Sequence, residues 1–405
     1  MNIHRGENLY QGFLDVASRA VPYFSQWTYD QPLFISPETN RQMHALKDIL
    51  YKAACHFVDN YAAYQHLMPL ADEYLQLLAL YKDKPYRPET LRTDFLIDEY
   101  KQIQLIEINA RFPLNGLFIS GFTHLIADQF LIGRPDILKI DDYTPFYDYF
   151  CEYLGKFEHI CYLRGVETKN EAKYAVPIFQ KAGYPVHCLR PDEIADHLDL
   201  LENAVIFSEM VFPELLKLPV EIIRLLIEHN LHTDLRSAIL IHDKRFFAVL
   251  GNEKFLRDAL SRAEIVEIQK HLVPTWGWAD GKDCWQRARA DKDSWVVKHR
   301  ASGKSHAVFA GCVTADQEWQ ALFSMPGVED MVLQPFVSQM KINGCVKGQP
   351  YEDYVVGTML IYNDRFFGPG IFRASSHPVT NKVDDRKIAP LVTDSAHLFP
   401  GAVIL

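Results

Sequence analysis

The stretch Arg92-Thr93-Asp94-Phe95-Leu96-Ile97-Asp98-Glu99-Tyr100-Lys101-Gln102-Ile103-Gln104-Leu105-Ile106-Glu107-Ile108-Asn109 decides how the rest of the chain is read. It divides into two short strands around a polar turn at about Asp98 to Lys101. Side chains alternate along a strand, so Glu107 and Asn109 share a face, roughly 7 Å apart. A turn with an even number of residues brings Arg92 and Asp94 to that face as well. One guanidinium, two carboxylates and an amide oxygen then sit on a rigid ribbon. Hard oxygen donors placed this way suit Mg²⁺, which takes one or two carboxylates and leaves positions for phosphate oxygens. The simpler alternative is a surface hairpin whose polar face meets water. Against it, Glu107 and Asn109 interrupt an otherwise apolar run, and the loop from Ala110 to Gly116 has no solvent-facing pattern.

The composition bounds the wider reading. A chain of 405 residues, 48% hydrophobic and 23% charged, can build a substantial core spread over two or three domains. A formal net charge of −10 argues against a nucleic-acid partner, which needs a basic surface. Seven scattered cysteines, odd in number and without a CxxC pair, fit reduced thiols better than a disulfide framework or zinc site. No apolar signal core opens the chain and no run of eighteen apolar residues occurs, so a soluble, cytoplasmic protein without a membrane partner is expected.

Taken in order, residues 1–90 read as helical, with Met43, Leu46, Leu50, Ala53, Phe57 and Tyr61 at helix spacing. Pro69 suits the first position of a helix through Leu70 to Tyr81, and Pro85 and Pro88 end it before the hairpin. Leu117 to Leu131 reads as a buried helix. Beyond about 158 the texture changes to alternating strands (159–163, 184–189, 204–208) and helices (171–182, from Pro191, 213–228). That alternation implies a parallel, doubly wound unit binding ligands beyond its strand ends, at Arg164 and at Phe207-Ser208-Glu209. No glycine-rich fingerprint follows the first of these strands, so a dinucleotide is not indicated. Ile239 to Ile241 and Phe246 to Leu250 read as a strand pair ahead of a helix opening at Gly251-Asn252-Glu253-Lys254. Trp295 to Lys298 is a strand ending in lysine, and Val355 to Tyr362 and Arg365 to Arg373 form a hairpin through Asn363-Asp364. Ser302-Gly303-Lys304-Ser305 is not a phosphate loop, because Lys298 stands where that motif needs glycine. Nothing in the spacing places a Cys–His pair for nucleophilic catalysis.

Together these pieces resemble an ATP-grasp ligase of the circularly permuted kind, similar to eukaryotic-type glutathione synthetase. Arg92-Thr93-Asp94 and Glu107-Ile108-Asn109 resemble the family's R-x-D and E-x-N magnesium strands, here ahead of the ATP lysines instead of after them. The resemblance implies an α/β chain of α+β ATP-grasp type with an inserted parallel-sheet substrate domain. It would divide into a helical region with the magnesium hairpin at 1–155, a substrate domain at 156–238 and an ATP-binding region at 239–405. It implies ATP and Mg²⁺ as cofactors, with the metal on Asp94, Glu107 and Asn109. Nucleotide contacts would come from Lys254, Lys298, Ser302, Gly303, Gln334 and Val337, and catalytic charge from Arg92 and Arg373. Substrate contacts would come from Arg164, Ser208 and Asn381. The implied activity joins a small carboxylate to a small amine through an acyl phosphate, in a monomer or a homodimer. A carboxylate kinase and a non-catalytic ATP-binding regulator are the alternatives. Two departures set the chain apart: residues 301–305 carry no carboxylate, with Lys304 as the one added charge, and Gln334 stands where an acid is common. Glutathione synthesis itself is therefore not expected.

Overall fold

Thr90–Ile97 and Ile103–Asn109 pair as an antiparallel hairpin in the computed structural model, which describes residues 5–167, 171–303, 305–399 and 403–405. Lys304 lies outside the described residues. The loop of this hairpin is odd in length: Ile97 pairs with Ile103, leaving Asp98 to Gln102 between them. Alone, that register would set Arg92 and Asp94 opposite Ile108 and Ile106. A β-bulge reverses the parity, because Phe95 pairs with Leu105 whereas Asp94 pairs with Glu107. Ile106 is the extra residue, and from it onward Arg92 faces Asn109 and Asp94 faces Glu107. A bulge re-aims side chains in this way at the cost of one unpaired position in the ladder.

The hairpin belongs to a seven-stranded sheet whose main path runs Arg386–Ile388, Phe372–Ser375, Gln349–Tyr362, Thr90–Ile97 and Ile103–Asn109. Lys341–Val346 and Arg365–Pro369 also pair with the long strand Gln349–Tyr362, the latter through a turn at Asn363 with φ 52°. The long strand lies against the hairpin from Val356↔Leu96 to Tyr362↔Thr90. Gly357 sits opposite Phe95, and a Cβ there would come within 2.3 Å of Phe95 and 2.5 Å of Phe372. A second, four-stranded antiparallel sheet takes Trp276–Gly277, Met331–Pro335, Trp295–His299 and Val308–Ala310 in that order. Trp285, Trp295 and Trp319 pack with Val297 and Leu333 into its own small core.

A separate sheet is formed by the three strands His159–Leu163, Val186–Leu189 and Ala204–Ser208, all parallel, with His159–Leu163 central. Both faces are covered, as an all-parallel sheet requires: Cys161, Leu163 and Ile206 join one core, and Ile160, Tyr162, Val205 and Phe207 another. The helix Arg5–Phe24 packs along Ala172–Lys181, where Gly12 leaves room for the Ile178 carbonyl. The helix Pro37–Asp59 is capped by Ser36, whose side chain accepts from the Thr39 N–H, and starts on a proline. It buries Met43, Leu46, Leu50, Ala53 and Phe57 along one stripe.

Several local expectations change. Ile239 to Ile241 belong to a π-helical turn, Ser237–Ile241, and Phe246–Leu250 is α-helical. Nearly every side chain of those runs is buried, which suits a buried helix as well as a strand; short apolar runs do not separate the two. The helix expected from Pro69 begins at Asp72, and the one expected over 213–228 divides into Phe212–Leu215 and Val220–Glu228. Leu33–Ile35, within the region read as helical, is a strand parallel to Pro390–Val392.

Gly357→Val is expected to lower the unfolding free energy by about 1–3 kcal/mol through overpacking against Phe95 and Phe372, read as an earlier urea midpoint at unchanged slope.

Candidate functional site

The bulged hairpin, the lysine-bearing strand and the loop after it enclose one cavity of about 110 Å³ between the two antiparallel sheets. Arg92, Asp94, Glu107, Asn109, Lys298, Ser302, Gly303, Arg373 and Asn381 all border it. These residues come from three distant parts of the chain. On the hairpin, Arg92 grips Asp94 with a fork, Nε donating to Oδ1 at 2.7 Å and Nη2 to Oδ2 at 3.1 Å. Asn109 donates to Glu107 at 3.3 Å. Along the sheet the register Lys387↔Arg373↔Val356↔Leu96 sets two cations in line beside the carboxylate pair.

Lys298 ends the strand Trp295–His299 and reaches the cavity from the other sheet. Burial brings its ammonium down to about 8, with Glu107 and Asp94 resisting and Lys244 assisting. Glu107 feels the converse. Burial works to raise its carboxyl, but the charges of Lys244 and Lys298 override that and hold it below the usual carboxylate range.

Lys244 was not singled out by the sequence, yet its side chain is 2% exposed, its Nζ is 3.4 Å from Glu107, and it donates to the Ser302 carbonyl at 2.8 Å. It thus balances Glu107 and ties down the loop over the cavity. The usable signal was the polar cluster His242-Asp243-Lys244-Arg245 directly after an apolar run, hidden because that run was read as a strand. Asp243 gathers Arg245 and Arg300, the Arg300 Nη1 donating at 2.6 Å, and Arg300 Nε also donates to Asp330 at 2.7 Å. His299 Nδ1 accepts from the Ala301 and Ser302 N–H groups, both at 3.1 Å. Ser305 Oγ donates to the Thr380 carbonyl at 2.5 Å. The loop is therefore fastened at its entry, middle and exit.

Other expected positions fall elsewhere. Lys254 is corrected: it lies on the exterior of Glu253–Ala259, 71% exposed, paired with Asp258 at 2.6 Å and over the Tyr64 ring. Gln334 points into the protein, donating to Thr275 Oγ1 at 2.9 Å and to the Ile106 carbonyl at 3.3 Å. Val337 is half-buried and does not border the cavity, whereas Phe336 does. Arg164 is exposed and borders none of the cavities described here, and Ser208 borders a separate one.

A chamber of about 670 Å³ adjoins the inter-sheet cavity, sharing Arg92, Asn109, Gly303, Arg373 and Asn381 with it. Two buried polar atoms on its bordering residues lack partners, Arg373 Nε and Glu209 Oε2. The other Arg373 arm, Nη1, donates to the Asn381 amide oxygen at 3.1 Å when that amide is oriented to donate to Asp385. Tyr162 Oη donates to Glu209 Oε1 at 2.8 Å. Burial, reinforced by the nearby Glu171 charge and opposed by Tyr162, raises the Glu209 carboxyl to about 7. Glu171 accepts from the Gly116, Phe118 and Ile119 N–H groups and so caps the helix Leu117–Leu131. Burial lowers the Lys387 ammonium to about 8, with the Arg373 charge adding to the effect.

Among the described residues no group of three or more His, Cys, Asp or Glu side chains is arranged to hold a metal ion. A divalent ion on Asp94, Glu107 and Asn109 would therefore draw its remaining ligands from outside the protein. Among the described residues no helix is long and apolar enough to cross a membrane.

These sheets and helices make a mixed α+β fold, and comparison shows what it is similar to. The structure of a glutathione synthetase-like effector, GSS30 from Globodera pallida, superposes with a TM-score of 0.55 at 12% identity, over 94% of this chain and 96% of that one. At that identity the likeness is one of fold. A sequence profile described as the AnkG N-terminal domain matches residues 46–240, just under half of the chain. No curated protein matches it.

Two lysines only ten positions apart are expected to separate cleanly. Lys244→Met, which leaves the buried Glu107 short of a partner, should cost about 1–3 kcal/mol in urea unfolding. Lys254→Ala, at an exposed pair, should stay within about 0.5 kcal/mol of the wild type.

Proposed function

We propose that this chain is an ATP-dependent carboxylate–amine ligase working through an acyl phosphate. One observation carries the reading: two carboxylates on the bulged hairpin and Lys298 from the opposite sheet border a single cavity, which adjoins a chamber bordered by Arg373 and Glu209, each with one buried polar atom, Nε and Oε2, lacking a partner. The likeness to a glutathione synthetase-like effector supports the fold on which this rests.

The cavity suits a triphosphate end. Lys298, Lys244 and Arg373 supply positive charge, and positioning with charge stabilisation is most of what phosphoryl transfer asks of a protein. Mg²⁺ fits the donors present, with Asp94, Glu107 and Asn109 as hard oxygen ligands. Bound there, the ion would neutralise phosphate oxygens. The acid substrate would lie in the larger chamber with its carboxylate on Arg373 and Arg92. Its oxygen attacks the γ-phosphorus, the bond to ADP breaks, and an acyl phosphate forms. The amine then attacks the acyl carbon, inorganic phosphate leaves, and the amine proton passes to Glu209 Oε2. Arg373 and Arg92 stabilise the oxyanion of the tetrahedral adduct. No side-chain nucleophile is needed.

A second reading has its own support. The cavity between the sheets is about 110 Å³, well below the roughly 300 Å³ or more of a ligand-holding pocket. Asp94 and Glu107 are each already paired with a cation. The paired carboxylates favour a nucleotide-binding regulator without turnover, while the small volume asks either kind of nucleotide-binding protein to open the cavity first.

Hydroxylamine trapping of an acyl phosphate, together with ADP release across a panel of acids and amines, separates the readings. The ligase gives amine-stimulated ADP release, a carboxylate kinase gives release indifferent to amine, and the regulator binds Mg·ATP without release. Glu107→Gln should lower ADP formation at least about 100-fold in a chain that still folds, with an earlier urea midpoint because the buried Lys244 loses its carboxylate; turnover at the wild-type rate in that variant removes Glu107 from the site.

Glu209 must be ionised to accept a proton, and its carboxyl titrates at about 7. The rate constant kcat/KM for the amine should therefore climb about tenfold per pH unit below 7, and the rise should end as Lys298 and Lys387 lose their charge at about 8. Glu209→Gln should flatten that limb, and an identical pH profile in the variant excludes Glu209 as the base.

A further inference from the structure

A third cavity, about 770 Å³, lies beyond the carboxyl ends of the parallel strands, on the far side of the 299–303 loop from the carboxylate hairpin. It is a separate compartment from the chamber assigned above to the acid substrate. The Arg111–Glu167 pair, 2.9 Å apart, borders both this cavity and the 670 Å³ chamber and stands between them. Gly303 completes the partition, close enough that a Cβ there would meet Arg111 Nη2 at 3.1 Å.

Its walls are unlike those of the other two. Tyr74 and Phe212, stacked with ring centroids 4.8 Å apart, form one side. Leu235 and Ile239 continue the apolar surface. The charged groups at the rim are already matched, Arg300 to Asp243 and Asp330, and Arg111 to Glu167. An ionic ligand would find no free counter-charge there. What is left over is small and neutral. Thr233 Oγ1 is buried and makes no hydrogen bond, and neither does His242 Nε2. His242 Nδ1 sits 3.3 Å from the Ile108 carbonyl, an acceptor, so Nδ1 carries the proton and Nε2 is a bare acceptor lone pair. Burial, with Lys244 and Arg111 adding, lowers this imidazole to about 4 and keeps it neutral. Buried polar groups without partners are uncommon and each asks for an explanation.

We infer that this cavity is a binding site for a neutral aromatic group carrying a single hydrogen-bond donor, of the phenol or indole type. The ring packs on Tyr74 and Phe212, and its O–H or N–H is received by His242 Nε2 with Thr233 alongside. A buried tyrosine hydroxyl or indole N–H finds a partner of this kind in proteins generally. The inference does not depend on the ligase reading, because it concerns binding without nucleotide.

The test uses two neutral probes that differ by one hydroxyl, N-acetyl-tyrosinamide and N-acetyl-phenylalaninamide, titrated into the full chain by calorimetry or saturation-transfer NMR in the absence of ATP. The hydroxylated probe should bind about five- to tenfold more tightly, the worth of one hydrogen bond. His242→Leu should abolish that preference. Thr233→Val, which keeps the shape and the fold, should reduce it by itself if the histidine variant fails to fold. Phe212→Ala should weaken both probes alike. Equal affinity for the two probes, no binding of either to folded wild-type protein, or binding indifferent to Thr233→Val and Phe212→Ala overturns the assignment. ADP release plays no part in any arm, so a failed ligase assay leaves this result standing and the reverse holds too.

Discussion

One extra residue in one strand governs the architecture of the site. Ile106 is the bulge that lets an odd hairpin loop coexist with Arg92, Asp94, Glu107 and Asn109 on a common face. A bulge leaves a backbone group outside the ladder, and a buried carbonyl needs a donor from somewhere. Here it comes from Gln334 on the second sheet, which also bonds to Thr275. The segment around Leu272 runs beside the same strand, with the Leu105 N–H donating to the His271 carbonyl at 2.7 Å. The irregularity that aims the carboxylates is thus also the point where the two antiparallel sheets are bonded together.

Electrostatics gives that junction its character. The chain carries a formal charge of −10, yet the acids at the inter-sheet cavity, Asp94 and Glu107, are outnumbered by Arg92, Lys298, Arg373 and the adjoining Lys244. Burial has brought Lys298 to about 8 without removing its attraction to Glu107. Glu107 is shared between Lys244 and Lys298, so an incoming anion there meets donors whose present partner can be exchanged, whereas Asp94 is held through both oxygens by Arg92. Desolvated charges of this kind are expensive to maintain, and a cluster of them in a cleft is a candidate functional site.

The hairpin faces were legible because period-two alternation is strict, although the parity argument reached the right face for an incomplete reason: the turn is odd and the bulge compensates. A bulge has no composition signature here, since Ile106 is one more aliphatic residue in an aliphatic run. Lys298, Ser302, Gly303, Arg373 and Asn381 came from the resemblance to the ATP-grasp family, and the fold brings all five to the border of one cavity. Lys254 misled because an exposed helix lysine and a ligand lysine look alike in one dimension. Lys244 was missed because the Ser237–Ile241 turn is π-helical, a rare geometry that places the next residues where neither helical nor strand periodicity points. Gln334, expected to contact nucleotide, instead points inward, drawn by the bulge carbonyl it satisfies. Glu209 stood in a segment marked for ligand binding, but the burial that raises its carboxyl depends on Tyr162 and Glu171, neighbours no local pattern could supply.

The loop from His299 to Ala307 is the wall common to everything described. Gly303 borders all three cavities, and Ser302 borders two of them. A ligand in one chamber can alter another only if it prefers one of two loop arrangements over the other. The fastenings decide how much preference that takes. Lys244 holds the Ser302 carbonyl and the Arg300 carbonyl accepts from the Lys244 N–H, while Arg300 is locked between Asp243 and Asp330. The exit is held more lightly, by Ser305 to Thr380 and by the His299 N–H to the Ala307 carbonyl. Ser305 and Ala307 both adopt positive φ, 58° and 52°, a conformation that costs non-glycine residues energy. Strain and weak ties therefore collect at the carboxyl end of the loop, and firm ties at its entry.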